Sequence, residues 1–164
     1  MMGCAHVDVY EHRTEFMVGT LADIRKHFND TATRTPPTWR FVKDRQHWTI
    51  RDAADQSFPI AGEWRIKFGE NKPRLDSPIH CWRAESAPSM DLEIASTGAV
   101  TTARILWKRL DADQWDTSKS LGLDLNPDGK VHRYHLNLAS SREYRDLIVG
   151  VAIEPVAQPR PGGR

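Results

Sequence analysis

The residues best equipped for chemistry in this 164-residue chain are its tryptophans and the charged groups beside them. Six Trp stand against three Tyr and five Phe. The run Asp111-Ala112-Asp113-Gln114-Trp115-Asp116 sets an indole among carboxylates, Trp82 precedes Arg83, and Trp107 precedes Lys108 and Arg109. A Trp left outside a small core offers a flat apolar surface. Sugars present C–H faces to such rings, and their hydroxyls pair with carboxylates and guanidinium groups. The chemistry expected is recognition of a polyhydroxylated ligand, with Trp115, Trp82, Trp107, Arg83, Arg109 and Asp113 as contacts. Each Trp has a structural alternative. Trp115 could fold back to cap the domain, and Trp82 and Trp107 could fill the core, Trp107 more so because it alternates with Ile105. Trp64 is expected in the core, and Trp39 and Trp48 in edge-strand packing.

Metal and catalytic patterns are weak. Asp111, Asp113 and Asp116 resemble part of a calcium loop, but that pattern needs a ligand at its fifth position and Gly at its sixth. Trp115 and Asp116 stand there, so a solvated loop is the better reading. His132 and His135 lie three apart on an expected strand and so point to opposite faces. They are not expected to share an ion, and His80 has no assigned role. Cys4 and Cys81 form neither a disulfide framework nor a metal spacing, and Cys81 is expected to be buried as a small hydrophobe. The sequence has no nucleophile elbow, phosphate loop, dinucleotide fingerprint or zinc-protease motif. Carboxylates are plentiful, yet nothing selects a glycosidase pair from them. The chain is therefore expected not to be an enzyme.

The formal net charge is +1. A field for nucleic-acid phosphates is missing, as is a polybasic run for anionic membranes. No apolar run approaches the roughly 18 residues of a membrane span. Neither nucleic acid nor membrane is an expected partner. Met1 to Thr20 carries Asp8, Glu11, His12, Arg13 and Glu15, which argues against a signal peptide. The protein is then cytoplasmic, or belongs to a larger extracellular or periplasmic assembly whose signal lies elsewhere.

Three zones must position these residues. In 1–37, Met17, Leu21, Ile24 and Phe28 recur on one helical face. Thr20 with Asp23 resembles a capping box, and Lys26 and His27 suit a last turn, so a helix is expected at 21–28. Asn29 to Pro37 reads as a linker. From 38 to 156 the pattern is strand after strand. The alternating sets are Trp64-Ile66-Phe68, Met90-Leu92-Ile94, Ala103-Ile105-Trp107, Leu121-Leu123-Leu125 and Tyr134-Leu136-Leu138. Leu147-Val149-Val151-Ile153 follows, with Ile148, Gly150 and Ala152 implying a second covered face. Trp39–Val42, His47–Ile50 and Ile79–Trp82 are shorter candidates. About nine strands with no long helix between them argue for two packed antiparallel sheets. Asn126-Pro127-Asp128-Gly129 is expected to close a hairpin. The end, 157–164, is expected to be a disordered tail.

From Trp48 onward the chain resembles the galactose-binding-domain-like β-sandwiches of bacterial polysaccharide-processing proteins. The ordered set carrying the resemblance is Trp48, the Trp64 strand, Pro73 to Pro78, Met90 to Ile94, Ile105-Leu106-Trp107, and the acidic loop Asp111 to Asp116. It continues through Ser120 to Leu125, Asp128-Gly129, Val131 to Leu138 and Ile148 to Pro155. The resemblance covers about 110 residues and excludes 1–37. It implies a jelly-roll sandwich acting as a carbohydrate-binding accessory module without catalysis; with the helix read at 21–28, the expected fold is an all-β, antiparallel two-sheet jelly-roll sandwich with a short N-terminal helix. It also implies a structural calcium, with Glu154 as one ligand and Asp44 as the nearest candidate partner acid. The expected partner is an oligo- or polysaccharide, beside a linked or associated enzyme. The main alternative is an assembly domain whose Trp residues serve a protein interface. A small jelly-roll lyase or hydrolase is the third reading.

Overall fold

The computed structural model describes residues 18–32, 35–57, 59–69, 71, 73–98 and 100–157. The expectations placed on Met17, Cys4 and 158–164 fall outside these.

The single α-helix among the described residues, α1, spans Leu21–Thr31. Its start is the capping box read from the sequence. Asp23 N–H donates to the Thr20 hydroxyl, and the Asp23 carboxylate accepts from the Thr20 N–H. Its end is not where the sequence placed it. Asn29 to Thr31 continue the helix, supported by the Lys26–Asp30 ion pair at 2.6 Å and by the Thr31 hydroxyl donating to the His27 carbonyl. An i,i+4 pair of this kind adds a few tenths of a kcal/mol, so the linker begins later and Lys26 and His27 are not in the last turn. No α1 residue is fully buried.

The rest is antiparallel β structure. The strands are β1 Thr49–Arg51, β2 Ala53–Asp55, β3 Ile66–Phe68, β4 Arg74–Asp76, β5 Trp82–Arg83, β6 Ser89–Thr97, β7 Val100–Arg109, β8 Ser120–Asp124, β9 Asp128–Asn137 and β10 Leu147–Ala157. β1-β4-β10-β7-β8 form one sheet, to which β5 adds on β10. β6 pairs with β9, and β2 with β3. Trp39 to Val42 is not a strand. Phe41 has φ of 48°, and the Gln46 side-chain carbonyl accepts from the Arg40 and Phe41 N–H groups. The short β2 and β4 had no alternating run long enough to announce them.

The Asn126–Gly129 turn also departs from expectation. It joins β8 of the large sheet to β9 of the β6–β9 pair, so it crosses between sheets and closes no hairpin. Gly129 does take the left-handed conformation, at φ 78°. The hairpin lies one strand earlier, where β7 and β8 pair from Leu106↔Ser120 to Thr102↔Asp124.

The core gathers Ile105 and Trp107 of β7, Ile148 and Val151 of β10, Leu75, Trp82, Leu136, Leu138 and Tyr144. Met90 and Leu92 of β6 and Tyr134 of β9 pack against it. The ladder of β10 against β7 shifts register between Ile148 and Gly150. That irregularity breaks the strict period of two. Ile148 therefore joins Val151 and Ile153 in the core cluster, while Gly150 and Ala152, on the other face, are buried as well. Leu106, which interrupts the polar face of β7, pairs with Ala152 and is buried there.

Candidate functional site

The three nominated tryptophans lie in different surroundings. Trp107 has no exposed surface. Its Nε1 donates to the Glu143 carbonyl at 3.1 Å, and its ring meets Tyr144 edge to face at 5.3 Å. Trp82 is 3% exposed and its Nε1 donates to the Tyr144 hydroxyl, which donates in turn to the Ala87 carbonyl. Burial pushes the Tyr144 phenol above its usual range. Trp115 is half-buried. It lies over Gly150, its ring 3.5 Å from where a Cβ on that glycine would sit, and the Arg74 guanidinium is 5.2 Å from its centroid. Arg74 is held by Asp76, which also accepts from Arg51 at 2.9 Å.

The acidic loop is tied down by its own charges. The Lys108 ammonium donates to the Asp113 carbonyl at 2.9 Å, leaving the Asp113 side chain exposed. Asp116 accepts from Lys119 and from the Ser118 N–H. Those bonds, led by the one from Lys119, hold its carboxyl down at about 2.

Two cavities stand out, one apolar and one polar. The apolar cleft, of about 340 Å³, opens between the inner faces of β6 and β10 beneath Pro36 and Pro37. Trp39, Phe41, Trp48 and Trp82 line it, with Asp91 of β6. Trp48 is the centre of an aromatic cluster. Trp39 meets it at 5.2 Å, Phe41 at 5.8 Å and Trp64 at 6.4 Å. Trp48 is 3% exposed, and its indole N–H finds no acceptor among the described residues. A buried donor left unpaired costs about 1–3 kcal/mol, so this one is an anomaly in the fold. Asp91 accepts from His135 across the ladder at 2.8 Å and from Arg133 at 3.4 Å. The His135 bond is the main cause that lowers its carboxyl.

The polar cavity, of about 360 Å³, lies between α1 and the ends of β5, β7 and β10. It brings together Arg83 and Arg109, two of the nominated residues, with Arg25, Asp111 and Asp146. The pairings Arg83↔Leu147 and Arg109↔Ile148 on the two sides of β10 explain the meeting. Arg109 is buried and contacts Asp111 at 2.6 Å, Asp146 at 3.3 Å and Glu143 at 3.7 Å. Arg83 donates to the Asn29 carbonyl near the end of α1.

The residues offered for calcium are apart in their bonding. Glu154 faces Arg104 at 3.6 Å, and Asp44 accepts from the Gln46 N–H. Calcium takes six to eight oxygens, and among the described residues no group of three or more His, Cys, Asp or Glu is placed to hold a metal. Glu154 and Asp44 as placed do not form such a cage. His132 and His135 do face opposite ways, His132 toward Asp128 and Tyr134, His135 toward Asp91.

The alternation that reads Trp39–Val42 as a strand places Trp39 and Trp48 in edge packing and gives Phe41 no role, so it does not reveal the cleft. The signal that could have found them is the crowding of three large aromatics within ten residues after Pro36-Pro37. No protein-family model matches the chain, and no curated protein or solved structure matches it either.

Proposed function

We propose that this chain is a non-catalytic carbohydrate-binding module and that its glycan sits in the aromatic cleft of Trp39, Phe41 and Trp48. The observation that carries the reading is the buried Trp48 N–H without an acceptor in a residue lining a cleft of about 340 Å³. That volume falls within the usual range of ligand sites, which are mostly apolar with a few placed polar groups. A sugar ring supplies what the cleft lacks, a C–H face for the aromatic walls and a hydroxyl oxygen for the indole donor. Trp82 also lines this site. Trp107, with no exposed surface, supports it through Tyr144.

The alternation of chain between the large sheet and the β6–β9 pair supports a two-sheet sandwich, and we extend this to a jelly roll. The glycan reading is tested on an array of glycans with the full chain, run with calcium and with chelator. Binding to one glycan class supports it, and loss in chelator alone would bring calcium back into the account. No binding by demonstrably folded protein overturns it.

One observation favours a second reading, an assembly domain beside an enzyme. Val18 and Leu21 at the start of α1 and Ile79 before β5 are strongly exposed, and α1 buries no residue fully. Amphipathic surfaces of this kind mark protein contacts. A stable oligomer seen by light scattering, without glycan binding, would favour it.

A further inference from the structure

We infer that the polar cavity beside α1 is a second ligand site, one that takes an anionic sugar substituent, a carboxylate or a sulfate.

The argument is one of charge and satisfaction. Arg25, Arg83 and Arg109 line the cavity against two carboxylates, Asp111 and Asp146. Both carboxylates contact Arg109, and Asp146 also contacts Arg145. Arg25 forms no ion pair among the described residues, and Arg83 bonds only to the Asn29 carbonyl there. Three guanidinium groups thus face two carboxylates in one cavity, an excess of one positive charge. Arginine presents a planar fork matched to carboxylate and sulfate oxygens.

Arg109 supplies the second, independent observation. It is 8% exposed, and its Nε–H has no acceptor among the described residues. An unpaired donor on a buried cation is rarer than one on a surface chain. An acceptor oxygen entering the cavity would satisfy it. Asp111 and Asp146, still half open to solvent, would accept hydrogen bonds from hydroxyls on the rest of the sugar. Arg109 is the positioning residue, fixed by its carboxylates, while Arg25 and Arg83 supply the guanidinium forks that meet the anion.

This inference does not rest on the cleft. Trp82 and Arg83 are neighbours on β5, one lining the cleft and the other the polar cavity, so either site can be tested without the other. The experiment is calorimetric titration of the full chain with galacturonate, galactose 6-sulfate and galactose. At least one anionic sugar is expected to bind while galactose fails to compete. Which anion binds identifies the substituent. Arg25→Gln and Arg83→Gln are each expected to weaken binding about tenfold. Arg83→Gln also removes the bond to α1, so Arg25→Gln, whose side chain holds nothing in place, is the cleaner variant. Trp39→Ala should leave this titration intact even where it abolishes binding in the cleft. Failure of both anions to bind, equal binding of galactose, or unchanged affinity in both arginine variants would overturn the proposal.

Discussion

The indoles of Trp39 and Trp48 meet edge to face, 5.2 Å between centroids and 87° between planes. Trp39 is half-buried while Trp48 is almost fully enclosed. The outer ring therefore forms a wall of the cleft, and the inner ring carries the unpaired donor. Trp39→Ala should remove the wall and leave the donor. We expect glycan affinity to fall at least about tenfold, as for an aromatic anchor, and stability to fall by about 2 kcal/mol. Titration and urea unfolding of the same variant check both. An unchanged affinity would place the ligand elsewhere.

Trp115 depends on Gly150. A Cβ there would stand 3.3 Å from the Ser77 hydroxyl and 3.5 Å from the Trp115 ring. Gly150→Val adds two further carbons at this contact and should cost about 1–3 kcal/mol by overpacking. It should also lift Trp115 from the sheet, red-shifting its fluorescence. Trp115→Ala should lower the melting temperature, through the lost contact with Arg74 and Gly150, without changing glycan affinity. A stable Trp115→Ala protein that no longer binds would return Trp115 to the site.

Tyr144 is a polar joint inside the core. Its hydroxyl accepts from Trp82 and donates to the Ala87 carbonyl. Tyr144→Phe keeps the ring and strands both partners, so unfolding free energy should drop by about 1–3 kcal/mol. Denaturant titration with an unchanged m-value would show that the loss is local. Wild-type stability in this variant would mean that water replaces the hydroxyl.

The acid limb of stability should carry the signature of Asp116. Its folded carboxyl is held at about 2, below the ordinary 3.8, by Lys119 and the Ser118 amide. A depressed carboxyl contributes stability that is full above the unfolded value and fades as pH falls toward the folded one. Wild type should therefore be more stable than Asp116→Asn at pH 6, and the gap should close as pH drops from about 4 to about 2. Thermal melts of the pair across that window test it. A gap independent of pH would assign the difference to packing.

Local features of the fold were legible where one residue type enforced them. The capping box at Thr20 and Asp23 and the left-handed Gly129 followed from side-chain chemistry alone. Alternation located the long strands, because one buried face imposes a period of two. What alternation could not say was which strand pairs with which. Asp128-Gly129 is good turn chemistry whether the chain returns in the same sheet or crosses to another. The register shift at Ile148 and Gly150 likewise reverses a face with no warning in the local pattern. For the sites, adjacent Trp and Arg residues drew attention to Trp82, Arg83, Trp107 and Arg109. Only the pairing of β5 and β7 with β10 brings the two arginines together. The aromatic cleft was hidden because Trp39 and Phe41 belong to a loop held by the Gln46 side chain, a local side-chain-to-backbone bond that alternation does not register.

On the glycan reading, the Trp48 indole N–H waits for an acceptor from a bound sugar. The most direct test is a 15N–1H NMR titration with the glycan class picked out by an array, observing the six tryptophan indole signals. The Trp48 signal, assigned with Trp48→Phe, is expected to move furthest and to lower field as it gains a hydrogen bond, with Trp39 next. Saturation that shifts Trp115 and leaves Trp48 in place would contradict it.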